Sequence, residues 1–506
     1  MIRSGDILRT VLIAAIMVMQ SASATRAGDS AWPQFRGPKS SGLAAEGQNP
    51  PVKFGPRQNL LWKTPLPRGH SSPCIWEDQI FLTGYTKEKK ELQVFCIGRS
   101  SGKILWTRIV PAEQIEKVHS ISNPATATPA TDGERVYAYF GSYGLLCYDF
   151  EGNTLWTVPL PIPKTTFNFG TGTSPIVSGE LVILNSDEQN DPHLLGVDRR
   201  SGKTVWRQPQ PPAVSALSAF GATSYSTPVV WGRHLVIHRR GEVVAYAAEN
   251  GVRAWSVSAV TNGVSTPVVG NDVLYVGTWS NLGEPDLRIG LPDFSVMLER
   301  YDKNGDMKVS KEEFPGDLAV SRRPEAIGSS SGGEVYVKPY LRMVDMNRDD
   351  LIDEAEWKRA FSLLAALSQE HGLVAIKPGG KGDITATHIL WQETRNVPEV
   401  PSPLYYKGRV YMIKNGGLVS CMDANTGKLL YRERLGAAGP YYSSPVAANG
   451  RIYIASGKGI ITVFAAGDTL DILAKNKIDE SVLATPAVVD NRLYIRTVKH
   501  LYAFGR

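Results

Sequence analysis

Followed for its apolar and polar positions, the chain repeats one phrase: a small or hydroxyl residue, Ser or Thr, Pro, a few residues, a turn, and an apolar run often ending in Tyr. In order the copies are SSPCIWEDQIFL, ATPATDGERVYAYF, TSPIVSGELVIL, STPVVWGRHLVI, STPVVGNDVLYV, PSPLYYKGRVYM, SSPVAANGRIYI and ATPAVVDNRLYI. Their prolines, Pro73, Pro129, Pro175, Pro228, Pro267, Pro403, Pro445 and Pro486, stand where a strand starts, a place a sheet tolerates proline. The polar pair at the turn, such as Asp132-Gly133 or Asn449-Gly450, predicts reversal into a second strand. A second phrase follows most copies: CIGRSSGKILW, CYDFEGNTLW, GVDRRSGKTVW, AYAAENGVRAW and CMDANTGKLLY. Each predicts a third strand, a tight glycine turn, and a fourth strand ending in Trp106, Trp156, Trp206, Trp255 or Tyr431. Large aromatics at one repeat position predict packing between neighbouring sheets, since each buries much apolar area.

Four short strands about every 40 residues is the period of a propeller blade, so eight copies predict an all-β, eight-bladed β-propeller of four-stranded blades. The ends fit this. The last copy stops at LYAFGR, one strand short, while NLLWKTPL near the N-terminus carries Trp62 in the fourth-strand style. Pairing the two completes blade eight and leaves no open edge.

One interval breaks the rhythm. Pro267 and Pro403 stand far further apart than any other consecutive pair, and DVLYVGTW, GLVAIKPGG and THILWQE supply strands two, three and four of blade five, so residues 284–370 are an insertion between strands two and three. In an up-and-down blade those links share a face with the connections between blades. The acidic stretch NSDEQNDPH, Asn185 to His193, is the equivalent link of blade three and belongs to the same face, where by itself it reads as a simple solvated loop.

Inside the insertion, YDKNGDMKVSKEEF puts Asp302, Asn304 and Asp306 at loop positions 1, 3 and 5, Lys308 at 7 through its carbonyl, Ser310 at 9 and Glu313 at 12. This is the ligand spacing of an EF-hand: Ca²⁺ wants six to eight hard oxygens, and the Glu can close the shell with both of its own. VDMNRDDLIDEAEW repeats the spacing with Asp345, Asn347, Asp349, Leu351 through its carbonyl, Asp353 and Glu356. Phe294, Met297, Leu298 and Tyr301 predict a helix entering the first loop, SKEEF one leaving it that Pro315 cuts short, and Trp357, Phe361 and Leu364 one leaving the second. Matching apolar residues Val309 and Ile352 predict a short β-bridge between the loops. Position 6 needs a left-handed backbone, which Met307 tolerates less well than Asp350, so the second loop is expected to bind more tightly.

The repeat, best matched by MDANTGKLLY and VDRRSGKTVW, resembles that of exported eight-bladed propellers of the pyrroloquinoline-quinone (PQQ)-like repeat family, and WPQFRGP is similar to the start of mature proteins in that group. The resemblance runs over about residues 59–506 apart from the insertion. It implies a fold shared by quinone-dependent dehydrogenases, by an outer-membrane assembly scaffold and by other binding proteins. The dehydrogenases of this fold carry quinone and Ca²⁺ on the propeller axis, with an Asp base and typically two adjacent cysteines against the quinone. Here no two cysteines are adjacent. His70, His119, Asn123, Asn168, Tyr225, Tyr441 and Glu480 precede first strands and are candidates to face the axis, but their spacing follows the repeat and no acid/base or metal template. Ca²⁺ is therefore the expected cofactor and PQQ the disfavoured one.

Net charge of +6 is scattered with no long basic run, which disfavours a nucleic-acid partner. Cys74, Cys96, Cys147 and Cys421 form no CxxC, and three of them share one repeat position, so buried thiols are expected in place of bridges. The start MIRSGDILR, the apolar TVLIAAIMVMQ and the small residues of SASATRA predict a signal peptide over 1–27 with no lipoprotein cysteine beside it, and no later segment is apolar enough to span a membrane. The expected order is a signal peptide over 1–27, an N-terminal extension over 28–58, propeller over 59–283, the insertion over 284–370 and propeller over 371–506. The sequence favours a periplasmic or extracellular interaction module for a protein or envelope glycan over an enzyme.

Overall fold

Each repeat proline sits at or just before a short strand, and the residue ahead of it explains why. In a computed structural model, which describes residues 31–211, 223–280, 287–322, 333–366 and 371–506, the Ser or Thr preceding every repeat proline offers its hydroxyl to the backbone N–H of its counterpart in the blade before. Ser72 N donates to Thr128 Oγ1 (2.9 Å), Thr128 N to Ser174 Oγ (3.0 Å), Ser174 N to Thr227 Oγ1 (3.1 Å) and Thr227 N to Thr266 Oγ1 (3.2 Å). The circuit continues from Thr266 to Ser402 (3.0 Å), Ser402 to Ser444 (3.0 Å), Ser444 to Thr485 (2.9 Å) and Thr485 back to Ser72 (3.0 Å). Eight blades thus close on a buried ring of hydrogen bonds. The proposed signal peptide lies outside the described residues.

The sheets are antiparallel and up-and-down, as in blade three, where Ile176–Ser178, Leu181–Ser186, His193–Asp198 and Thr204–Pro209 pair in chain order. In blade eight Leu60–Pro65 pairs with His500–Phe504 as the fourth strand, so the chain's two ends meet as the repeat predicts. Blade four departs from the pattern: His234–Ala247 runs extended through the positions of both its second and third strands, with Gly241 at φ 82° between them. Apolar cores lie between neighbouring blades. Phe81, Cys96 and Trp106 of blade one, for instance, pack with Val136, Leu146 and Tyr148 of blade two. The fourth-strand aromatics join blades in a second way, since the indole of one blade lies under the turn glycine of the next. A Cβ on Gly102 would stand 2.6 Å from Trp62, and one on Gly427 2.6 Å from Trp391, so no other residue fits. Trp62, Trp106, Trp156 and Trp391 also donate from Nε1 to a carbonyl of that same neighbouring blade. All four cysteines are buried and unbridged, and burial pushes the Cys96 and Cys421 thiols up to about 12.

The N-terminal extension does what its sequence did not announce. Ala31–Trp32 adds a fifth, innermost strand to blade one, antiparallel to Ile75–Trp76, so the segment enters the central channel from the face opposite the insertion. Pro33 O accepts from Thr131 N of blade two (2.8 Å), and Arg36 Nη2 donates to Pro403 O of blade six (2.7 Å). After a turn the chain leaves beside blade seven, where Ala447 N donates to Gly42 O (2.8 Å) and Ala44 N to Ala447 O (2.9 Å). Trp32, Arg36 and Ser40 are fully buried. The turn holds Arg36, Lys39 and Ser40 at φ 54–61°, a region costing non-glycine residues about 1–2 kcal/mol each, so the surrounding blades must impose it. Residues 31–44 are a plug on the propeller axis.

Within the insertion, Phe294–Tyr301 and Glu354–Ala366 are helices, and Val309–Ser310 pairs antiparallel with Leu351–Ile352. Phe294, Met297, Val309, Phe314, Ile352 and Trp357 share a core. The helix expected at SKEEF is only a turn, closed by Phe314 N to Ser310 O (2.9 Å): Pro315 follows too soon for a second turn to form.

The ring makes a direct prediction. Thr227→Val keeps the shape but strands the N–H of Ser174, and is expected to lower unfolding free energy by about 1–3 kcal/mol in denaturant titration, while Thr227→Ser stays within about 1 kcal/mol of the parent.

Candidate functional site

The two acidic loops of the insertion have nearly the same internal geometry. The Asp302 carboxylate accepts from the N–H groups of Gly305 (2.8 Å) and Met307 (3.0 Å), and Asp345 from those of Arg348 (2.7 Å) and Asp350 (3.2 Å). Asn304 Oδ1 accepts from Asp306 N, as Asn347 Oδ1 does from Asp349 N, both at 2.9 Å. Lys308 N donates to Asp306 (2.9 Å) and Leu351 N to Asp349 (3.0 Å); Leu351 pairs with Ser310 in the bridge between the loops, while Lys308 stands just before it. Glu313 spans its loop, accepting from Lys303 N (3.0 Å) and from Ser310 N (2.9 Å) and Oγ (2.8 Å). Glu356 does the same with Met346 N (2.9 Å) and Asp353 N (3.3 Å). Hydrogen bonds from the Ser310 backbone and hydroxyl, then from Lys303, hold Glu313 below the ordinary carboxylate range. In both loops the carboxylates are turned onto backbone N–H groups, and among the described residues no three His, Cys, Asp or Glu side chains form a ready-made metal cluster.

The backbone changes the comparison between the loops. Met307 and Asp350 are both left-handed, at φ 63° and 59°, as position 6 demands. Position 4 is left-handed as well, and there the first loop has Gly305 (φ 75°) while the second has Arg348 (φ 64°). Each loop therefore carries one poorly suited residue, and strain does not separate them. Charge and burial do: at the six predicted ligand positions the second loop has four carboxylates to the first loop's three, and its Asp345 and Glu356 are buried.

On the same face as the insertion, the connections of blades one to four meet in a polar cluster. His119 N donates to Asn168 O (2.6 Å), and the Phe169 ring packs edge-on to both His119 and Tyr225. The other candidates are absorbed locally. Asn123 Oδ1 takes the N–H of Ala125 (2.8 Å), and the buried Tyr441 hydroxyl donates to Ala437 O (2.7 Å). Glu480 lies against His500 Nδ1 (2.6 Å) and accepts from Thr497 (2.7 Å) and Tyr502 (3.0 Å). Burial acts to raise its carboxyl, but those bonds win and hold it at about 2. Burial, with Arg496 and Arg68 beside it, lowers His70 to about 4 and keeps it neutral.

Sequence reasoning missed the centre of the cluster. The stretch NSDEQNDPH is no simple solvated loop: Asp187, Glu188 and His193 are buried. Arg239 grips Asp187 with Nε (2.8 Å) and Nη2 (3.1 Å), and its Nη1 reaches Glu242 (2.8 Å), which Arg253 contacts from outside (2.6 Å). Burial opposes the charge on Arg239, and Asp187 overcomes it, holding the guanidinium above its ordinary range. Glu188 accepts from the N–H groups of Lys164, Asn190 and Asp191. Beside this network lies a narrow cleft, partly open to solvent, lined by Tyr139, Thr171, Ser186 and Asp187 among others. Behind Thr171 sits Glu116, buried, with Thr171 Oγ1 donating to it at 3.0 Å. Gly141 makes room for this carboxyl, since a Cβ there would stand 2.8 Å from both of its oxygens. Burial raises Glu116 from its ordinary 4.5 to about 7. The only signal in the sequence was an acidic residue in the mixed connection AEQIEKVHS, too common a pattern to single out.

Over residues 52–290 and 380–473 the chain matches the family described as "Outer membrane protein assembly factor BamB", a PQQ-type repeat family. The chain belongs to this family. The break in the match falls on the insertion, which this BamB-family chain adds to the shared repeat. No curated protein matches it significantly in sequence. Among solved structures, BamB from Moraxella catarrhalis is 14% identical with a TM-score of 0.51, over 88% of this chain and 99% of that one. The quinohemoprotein alcohol dehydrogenase ADHIIG from Pseudomonas putida HK5 is 11% identical with a TM-score of 0.57, over 94% and 80%. The computationally designed Ika8 protein is 9% identical with a TM-score of 0.52, over 88% and 100%. At such identities the likeness concerns the fold alone.

Glu116 gives the face a pH signature. Its folded pKa is raised, so it contributes stability fully below about 4.5 that is lost as pH rises through about 7. Glu116→Gln is expected to flatten the pH dependence of thermal unfolding across that window, removing a change of about 3 kcal/mol.

Proposed function

We propose that this BamB-family propeller is an exported calcium-binding protein that serves as a protein-interaction module of the cell envelope. The observation that carries the reading is the plug: residues 31–44 lie on the propeller axis, where the quinone dehydrogenases of this fold carry their cofactor. A propeller whose own chain holds its axis has its faces and rim left for recognition. The family's description, taken from an assembly factor, supports an envelope protein as partner, and the predicted signal peptide supports export.

Calcium belongs to this reading through the paired loops. Their donors are hard oxygens at EF-hand spacing, and Asp302, Asn304, Asp306, Lys308, Ser310 and Glu313, with Asp345, Asn347, Asp349, Leu351, Asp353 and Glu356, are the residues that would hold two ions. Binding requires Glu313 and Glu356 to exchange backbone N–H groups for the ion. Outside the cytoplasm even a site of about 10⁻⁴–10⁻³ M would be mostly filled, so the ions act as structural clips on the insertion.

Calorimetry of the full chain with Ca²⁺ tests the metal: two binding events are expected, the tighter lost in Glu356→Gln and the weaker in Glu313→Gln. Heats unchanged by either substitution would reject the assignment. Reconstitution with PQQ and Ca²⁺ tests the role, the expected result being no saturable chromophore and no dye reduction. A stoichiometric bound quinone that reduces dye would replace the interaction reading with a dehydrogenase.

A further inference from the structure

The plug buries a charge that no carboxylate among the described residues neutralises. Arg36 is fully buried at the turn of the channel segment, among inner strands of several blades. One of its nitrogens is satisfied: Nη2 donates to Pro403 O at 2.7 Å, with Ser41 O at 3.5 Å. Among the described residues Nε and Nη1 have no partner, and on the same segment the buried Trp32 Nε1 has none either. Gly37, next to Arg36, packs directly on the Trp32 indole, so the two side chains belong to one tight turn.

Burial pushes the Arg36 guanidinium down to about 9, and no neighbouring carboxylate counters it. Two other arginines are as fully buried, and each has a carboxylate acting on it: Arg239 is held between Asp187 and Glu242, and Glu480 counters part of the burial of Arg496. Taking an unpaired guanidinium out of water costs several kcal/mol, and removing the charge by deprotonation is not open to arginine at neutral pH. Water could satisfy the two N–H groups but would leave the charge uncompensated. An anion does both, through charge-assisted bonds. The turn around the guanidinium is close-packed, a Cβ on Gly42 already standing 3.1 Å from Nη2 and 3.0 Å from Pro445 O, so the anion proposed is a small one.

We propose that the central channel holds a small monovalent anion of the chloride class at Nε and Nη1 of Arg36, making the plug a cation–anion pair sealed on the propeller axis. The site is independent of the calcium loops and of any partner on the insertion face.

Crystals of the full chain grown in sodium bromide are the direct test: an anomalous bromine peak within hydrogen-bond reach of Arg36 Nε and Nη1 is expected. Thermal unfolding at equal ionic strength and calcium supplies the second. Replacing chloride by isethionate, too large for the site, is expected to lower the Tm of the parent by about 2–4 °C. Arg36→Met should abolish that difference and Arg36→Lys should retain part of it. Water alone at the guanidinium in the bromide crystals, or an equal chloride effect in Arg36→Met, would overturn the proposal. If Arg36→Met does not fold, the bromide map of the parent decides the matter alone.

Discussion

A circle of eight N–H to hydroxyl bonds fixes the radius of this molecule. Each bond uses the Ser or Thr before a repeat proline as donor through its backbone and acceptor through its side chain, so the geometry of one blade constrains both of its neighbours. The proline that follows has no N–H to leave unsatisfied at the strand's start. Because the circle is buried, each lost hydroxyl strands an amide away from water. The Trp-to-glycine contacts repeat the same logic further out, with one blade's indole covering the next blade's turn.

The plug depends on that radius. A channel formed by eight blades has room for a chain segment, and the inner edges of blades one and seven are strands with unpaired backbone groups until Ala31–Trp32 and Gly42–Ala44 bond to them. Completing those edges from within helps explain why three non-glycine residues are held left-handed at the turn. The face toward the insertion follows a different principle. There Asp187, Arg239 and Glu242 alternate in charge and are buried together, with Arg253 closing the row from the surface, while Glu116, with no cation among the described residues acting on it, responds to burial by holding its proton more tightly.

Much of this was legible along the chain. The Ser/Thr-Pro phrase gave the blade number, Trp62 marked the closing strand, and Val309 and Ile352 marked the bridge between the acidic loops. Position 6 of those loops was readable too, because a left-handed requirement is local. Position 4 carries the same requirement, and Arg348 in the left-handed region removes the strain argument that singled out Met307. The turn at SKEEF stopped short of a helix because Pro315 acts within a few residues.

What the sequence by itself determined is whatever recurs or acts over a few positions: strand order, turn chemistry, the spacing of the two acidic loops and the aromatic seams between blades. Only the tertiary structure decided which single residues meet. WPQFRGP became an axial plug because eight distant strands surround it, NSDEQNDPH became a buried ion-pair partner because Arg239 of the next blade reaches it, and Glu116 gained its shifted carboxyl because Gly141 leaves it space. Each is a one-time contact between segments far apart in the chain, and no periodicity records such a contact.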